Sequence, residues 1–194
     1  MTPQLLASCV DRTIGFEGSI AWLYRDFSEK GWPTTGAGHA LFSQYESRAL
    51  PWKIGDRDAF ANEIYKDFQV VLAAPLGHTA AYYEPLTVCR LTDEDIRGLC
   101  GNDIQVRMTA LRKWVPQWDQ YPPAAIQAIA DMTFSLGPAW PVDGEWPKLA
   151  AAVLANDWRE AAVQCHRAAP ISEARNKTIA ALFLQAANPS LHSV

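Results

Sequence analysis

The chain has 194 residues, 49% of them hydrophobic and 20% charged, the profile of a globular protein with one compact domain or two small lobes. Its net charge of −4 argues against a broad basic surface for nucleic acid. No apolar run approaches the roughly 18 residues that a membrane span requires, and the first residues lack the basic start of a secretory signal, with Asp11 interrupting the apolar run.

In chain order, Thr2 is placed to cap a first helix with Pro3 at its first position. The inward stripe runs Leu6, Cys9, Val10, Thr13, Ile14 and continues to Glu17, with Gly18 set to end the helix. Trp22-Leu23-Tyr24 and the stretch from Thr34 to Ala40 are strand-like, and the turn formers from Ser28 to Pro33 between them predict a small antiparallel hairpin or sheet. A helix starting at Asp56 or Asp58 and reaching about Leu72 is expected, stopped by Pro75 and Gly77. Thr92-Asp93-Glu94-Asp95 opens the longest predicted helix, which carries Ile96, Cys100, Ile104, Met108, Leu111 and Val115 at helical spacing and ends at Pro116. Further helices are expected near 122–136, 146–155, 157–168 and 173–187.

Cys9, Cys89, Cys100 and Cys165 are scattered, without the spacing of a metal site. Cys9, Cys100 and Cys165 fall on apolar helix stripes and read as reduced core residues. The composite expectation is an α+β, mainly helical protein. Residues 1–90 form an N-terminal lobe with a small sheet, and 91–194 form the long helix and a helical lobe.

Two carboxylates draw attention as chemistry. Hydrolysis of a glycoside needs a proton donor for the leaving oxygen and a second group to handle water or the sugar cation. Glu17, at the end of its helix and on the stripe expected to be buried, would be kept neutral by desolvation, as a general acid requires. Asp26, nine residues on where the chain enters the hairpin, can face it across a groove. The stretch Thr34-Thr35-Gly36-Ala37-Gly38-His39 adds two glycines that let a backbone approach a ligand or strand closely, and a hydroxyl that can hold water.

Taken together these residues resemble the phage-type lysozyme family. Its pattern is a Glu ending the first helix, an Asp after eight residues, then a Thr-x-Gly-x-Gly-His strand. Leu91-Thr92-Asp93-Glu94 with Leu99 and Asp103 resembles the family's interlobe helix, and Ala130 to Gly137 its central buried helix. Asp157 to Ala162, Arg175-Asn176 and Leu182-Phe183 resemble its C-terminal helices. The ordered set covers most of the chain.

The resemblance implies a lysozyme-like two-lobe fold with a long interlobe helix. It also implies a muramidase that cleaves the β-1,4 bond between N-acetylmuramic acid and N-acetylglucosamine in peptidoglycan, without metal or cofactor. Glu17 would be the general acid, and Asp26 would act from the opposite side with Thr34 placing the attacking water, the inverting arrangement with carboxyls roughly 6.5–9.5 Å apart. Arg175 would reach toward the catalytic Glu, Gly38, Phe134 and Ser135 would line the groove, and His39 would pair with Asp103. The Asp-to-Thr interval is two residues longer than the common family spacing and leaves open whether Thr34 or Thr35 faces the groove. The segment from Ala40 to Arg90 is much longer than in compact members, and Tyr82-Tyr83-Glu84 within it reads as packing aromatics.

A monomer that touches neither nucleic acid nor the membrane interior is expected, made without a signal peptide and acting in the periplasm or cell wall. The setting is a phage endolysin or a delivered antibacterial effector, and an effector implies an immunity protein. The alternatives are a lytic transglycosylase and a non-catalytic peptidoglycan-binding module on the same fold.

Overall fold

A computed structural model describes residues 1–188. The protein is α+β and mainly helical, with nine α-helices among the described residues, a three-stranded antiparallel sheet near the N-terminus and a separate two-stranded hairpin. The chain divides into two compact units: a sheet unit, Arg12–Asn102, and a helical unit built from Met1–Asp11 and the chain from Asp103 onward.

In the sheet unit, α1 (Pro3–Glu17) ends and β1 (Ile20–Arg25) follows. β1 pairs with β2 (Pro33–Gly36), and β2 with β3 (His39–Ala40). The segment from Ala40 to Arg90, of which the sequence predicts only the helix that ends near Leu72, folds as short pieces around one core. These are α2 (Gln44–Arg48), the hairpin β4 (Lys53–Ile54) and β5 (Arg57–Asp58), α3 (Ala61–Ala73) and α4 (Ala80–Tyr83). Leu23, Leu41, Trp52, Ile64, Phe68, Val71, Tyr83, Cys89, Leu91 and Ile96 form that core. α3 supplies it from positions 64, 68 and 71, the spacing of one helix face. Of the aromatic pair read as packing, Tyr83 is buried and Tyr82 exposed, stacked on His78.

α3 starts at Ala61, later than the acids at 56 and 58 suggest. Gly55 takes a positive φ of 59° and turns the chain, so that Arg57 and Asp58 pair with Ile54 and Lys53 instead of opening a helix. Glu63 then closes the helix start by accepting from the Phe60 N–H at 2.8 Å.

α5 (Asp93–Leu111) crosses from the sheet unit into the helical unit. It begins where predicted, with Thr92 Oγ1 accepting from the Asp95 N–H at 3.1 Å. It stops at Leu111, short of Pro116. Pro116 disfavours helix at Val115, and the chain tightens to an i to i−3 bond, Trp114 N–H to Leu111 O at 2.9 Å. Val115 stays buried as the anchor of the following turn.

The helical unit packs α7 (Pro147–Leu154), α8 (Trp158–Gln164) and α9 (Glu173–Ala187) with α6 (Pro123–Leu136). α6 is buried nearly all round, and its alanines at 124, 125, 128 and 130 let neighbouring backbones approach closely. Trp140 is enclosed and donates to Thr133 Oγ1 at 3.0 Å. α8 ends at Gln164 rather than near 168 because Asn176 captures the following backbone. Its amide accepts from the Arg167 N–H at 3.2 Å and donates to the Arg167 carbonyl at 2.8 Å. The four cysteines are buried, and none of them forms a disulfide.

Candidate active site

α1 closes at Glu17 because Gly18 adopts φ +86° while its N–H still bonds to the Ile14 carbonyl at 2.9 Å. Cys9, Val10 and Thr13 are buried as the periodicity predicts, but Glu17 is exposed. It belongs to the last turn, beyond the covered part of the stripe. The expectation of a carboxyl desolvated by its own helix face is therefore corrected: Glu17 stands where a large solute can reach it.

Asp26 follows β1 directly. Its N–H donates to the Trp32 carbonyl at 3.1 Å and closes the hairpin. Its Oδ1 accepts from the Ser28 hydroxyl at 2.7 Å and the Ser28 N–H at 3.2 Å, an arrangement that fixes the carboxylate plane. Oδ2 accepts no hydrogen bond from the described residues and is open to a further donor.

The register of β1 on β2 decides which threonine shares a face with Asp26. Tyr24 lies opposite Thr34, and Arg25 opposite Pro33. Directly paired residues project to one face, and so do positions two apart, which puts Tyr24, Thr34 and the Asp26 position together. Thr35 projects to the other face, pairs with His39 and donates to the Ile20 carbonyl at 3.2 Å. Thr34 exposes only 2% of its surface, and its hydroxyl donates to the Trp32 carbonyl at 2.9 Å. With that proton committed, Thr34 can accept from a further group but not donate to it.

The Tyr24 phenol is half-buried, and its hydroxyl makes no hydrogen bond with the described residues. Its acidity is pushed down, with the pKa up to about 12, first by burial, then by the negative charge of Asp26, then by that of Glu17. Both carboxylates thus lie within electrostatic reach of one phenol, which stays protonated at any physiological pH. In the sequence alone Tyr24 reads only as part of a strand. The signal was present in its position two residues before Asp26 on a predicted strand.

Gly38 sits in the turn joining β2 to β3 with φ +85°, a conformation that favours glycine. Gly36, at φ +63°, packs against α5, where a Cβ would meet Ile96 and Leu99 at 3.6 and 3.7 Å. His39 belongs to the sheet unit and Asp103 to the helical unit.

The helical unit holds its own ionic cluster. Arg175 is buried on α9, with Nε 3.1 Å from both oxygens of Asp131 on α6. Arg167, also buried, brings Nη2 to 2.8 Å from Asp131 Oδ1 and donates from Nη1 to Ser135 Oγ at 2.7 Å. Burial lowers the Arg167 pKa, and the adjacent Asp131 charge opposes that shift. Of the residues expected to line a groove, Ser135 is thus held by Arg167, and Phe134 carries the Arg107 guanidinium 5.1 Å above its ring. Arg167 was not anticipated, and Asp131 was noticed only as part of a helix. An acid inside the apolar run from Ala128 to Phe134 was the available hint.

Among the described residues no three His, Cys, Asp or Glu side chains converge to hold a metal ion. No described helix is long and apolar enough to cross a membrane. No protein-family model, curated protein or solved structure matches the chain.

Proposed function

We propose that the chain is a peptidoglycan muramidase, hydrolysing the β-1,4 bond between N-acetylmuramic acid and N-acetylglucosamine. The observation that carries this reading is the grouping in the sheet unit. Asp26 closes the hairpin on the face that Tyr24 shares with its strand partner Thr34, and Glu17 ends the helix that leads into β1. The ordered resemblance to phage-type lysozymes supports it independently.

In this reading Glu17 protonates the leaving glycosidic oxygen. An exposed carboxyl is accessible to a polymer, and a sugar ring laid over it removes water from it. That desolvation favours the neutral, proton-donating form at the moment it is needed. Asp26, ionised, uses its open Oδ2 to accept a proton from water on the opposite side of the sugar. Thr34 accepts the water's second hydrogen. An enclosed hydroxyl suits one held water better than bulk solvent. Attack from the far side inverts the anomeric carbon. The two carboxylates supply both proton transfers, so the step requires no cofactor. The substrate sets the working location at the periplasm or cell wall, as an endolysin or a delivered effector.

The test is digestion of purified peptidoglycan followed by mass spectrometry of the released muropeptides. Reducing muropeptides support a muramidase. Anhydro-muropeptides would assign the chain to the lytic transglycosylases, and intact glycan would make it a binding module.

A further inference from the structure

A water held between Asp26 and Thr34 has an incomplete set of partners. An ionised carboxylate only accepts hydrogen bonds, and the Thr34 proton is already given to the Trp32 carbonyl. Both hydrogens of the water are then committed to acceptors. One lone pair must point at the anomeric carbon. The other is left without a donor, and the water is free to pivot about its two acceptors.

The donor lies on the same sheet face. Tyr24 is the direct strand partner of Thr34 and stands two positions before Asp26. Its hydroxyl has no hydrogen bond to the described residues, unlike the other two tyrosines of comparable or deeper burial. Tyr83 donates to the Pro75 carbonyl at 2.6 Å, and Tyr121 to the Val153 carbonyl at 2.9 Å. The Tyr24 hydroxyl instead remains open to a partner from solvent or substrate. We propose that Tyr24 is the water-positioning residue of this site, donating its phenolic hydrogen to the nucleophilic water that Asp26 and Thr34 accept from. This assignment rests on the muramidase reading above.

The phenol suits the role in two ways. It is kept protonated by burial and by the neighbouring carboxylates, so it remains a donor across the working pH range. Its ring is wedged against the sheet-unit core, which fixes the hydroxyl without a side-chain hydrogen bond. The arrangement completes a tetrahedral water: two acceptors, one donor and one lone pair aimed at carbon. As the bond to carbon forms, one water proton passes to Asp26 Oδ2, the other stays on the product hydroxyl, and Tyr24 keeps its own.

Tyr24→Phe removes one oxygen and leaves the ring in place, so its thermal unfolding should match the wild type closely. On a soluble peptidoglycan fragment, kcat should fall about tenfold, the value of one well-placed hydrogen bond, with KM within about twofold. A residue that merely supports the sheet would not act on kcat alone. Thr34→Ala provides the second reading. If both side chains hold one water, the double variant should be little slower than the worse single variant, whereas independent roles would multiply. Wild-type kcat in Tyr24→Phe, in a protein that loses activity on Glu17→Gln, would overturn the assignment of Tyr24 and leave the muramidase reading intact. Multiplying effects of Tyr24→Phe and Thr34→Ala on kcat would overturn it as well. Absence of Glu17-dependent glycan cleavage in the wild type would instead remove the site reading itself.

Discussion

Asp131→Asn tests the electrostatics of the helical unit through stability, whatever its effect on activity. Asparagine keeps the shape of the side chain but removes the negative charge that faces two buried guanidinium groups. Arg175 Nε lies 3.1 Å from both carboxylate oxygens and Arg167 Nη2 2.8 Å from one, with all three side chains at most 5% exposed. The substituted amide also presents two donors to groups that are themselves donors. Breaking a buried pair from one side costs about 3–5 kcal/mol, because the remaining charge is left uncompensated. For a chain of this size each kcal/mol moves Tm by about 2–4 °C, so the expected drop is about 6–20 °C. Thermal unfolding followed by circular dichroism measures it directly. Adding Arg167→Met to the Asn variant should restore part of the loss, since it withdraws a buried guanidinium that has lost its facing carboxylate. An Asn variant within about 1 kcal/mol of the wild type would refute the claim that Asp131 balances these arginines.

Glu17→Gln should lower glycan cleavage by at least about 10²-fold while the protein still folds; turbidity clearing of cell walls and a circular dichroism spectrum check both halves. The first-formed reducing sugar should carry the inverted configuration, visible by proton NMR before mutarotation, and a retained anomer would point to a covalent intermediate on Asp26. Glu63 is held down to about 2 by a two-point pairing with Arg57 at 2.6 and 2.8 Å and by the Phe60 N–H. A lowered folded pKa means stabilisation that is present above the unfolded value of about 4.3 and is lost as pH falls toward 2. The Tm difference between wild type and Glu63→Gln should accordingly be visible at neutral pH and shrink across that acid window.

Much of the fold was legible because it is local. Thr2, Gly18 and Thr92 each mark a helix end by a hydrogen bond or backbone angle that spans only a few residues. The misreadings have a common physical origin in what periodicity cannot carry. The stripe through Cys9 and Thr13 indicates which side of α1 faces inward, but not where its cover stops, and so Glu17 was expected to be buried. Thr34 and Thr35 were indistinguishable because the β1–β2 register shifts between Ile20 and Tyr24, and that irregularity leaves no mark in composition. Asp131 meets Arg175 across 44 residues of sequence, a separation over which no pattern rule operates. Within the stretch from Ala40 to Arg90 only α3 was legible, because α2 has five residues and β4 and β5 two each, too few to display a period.

One contact inside the sheet unit changes what that long segment is for. Arg25, the residue before Asp26, donates from Nε to the Gly31 carbonyl at 2.7 Å and from Nη1 to the Leu72 and Ala74 carbonyls at 3.0 and 2.9 Å. A guanidinium placed there neutralises the exposed carbonyls at the C-terminal end of α3 and clamps both sides of the hairpin turn. The position of the Asp26 carboxylate is thereby inherited from α3, an element far from it in sequence. Trimming the segment so that α3 is lost would cast the hairpin loose. Substitutions around residues 71–74 would then shift the Asp26 carboxylate without touching it, a long-range dependence that runs through a single guanidinium.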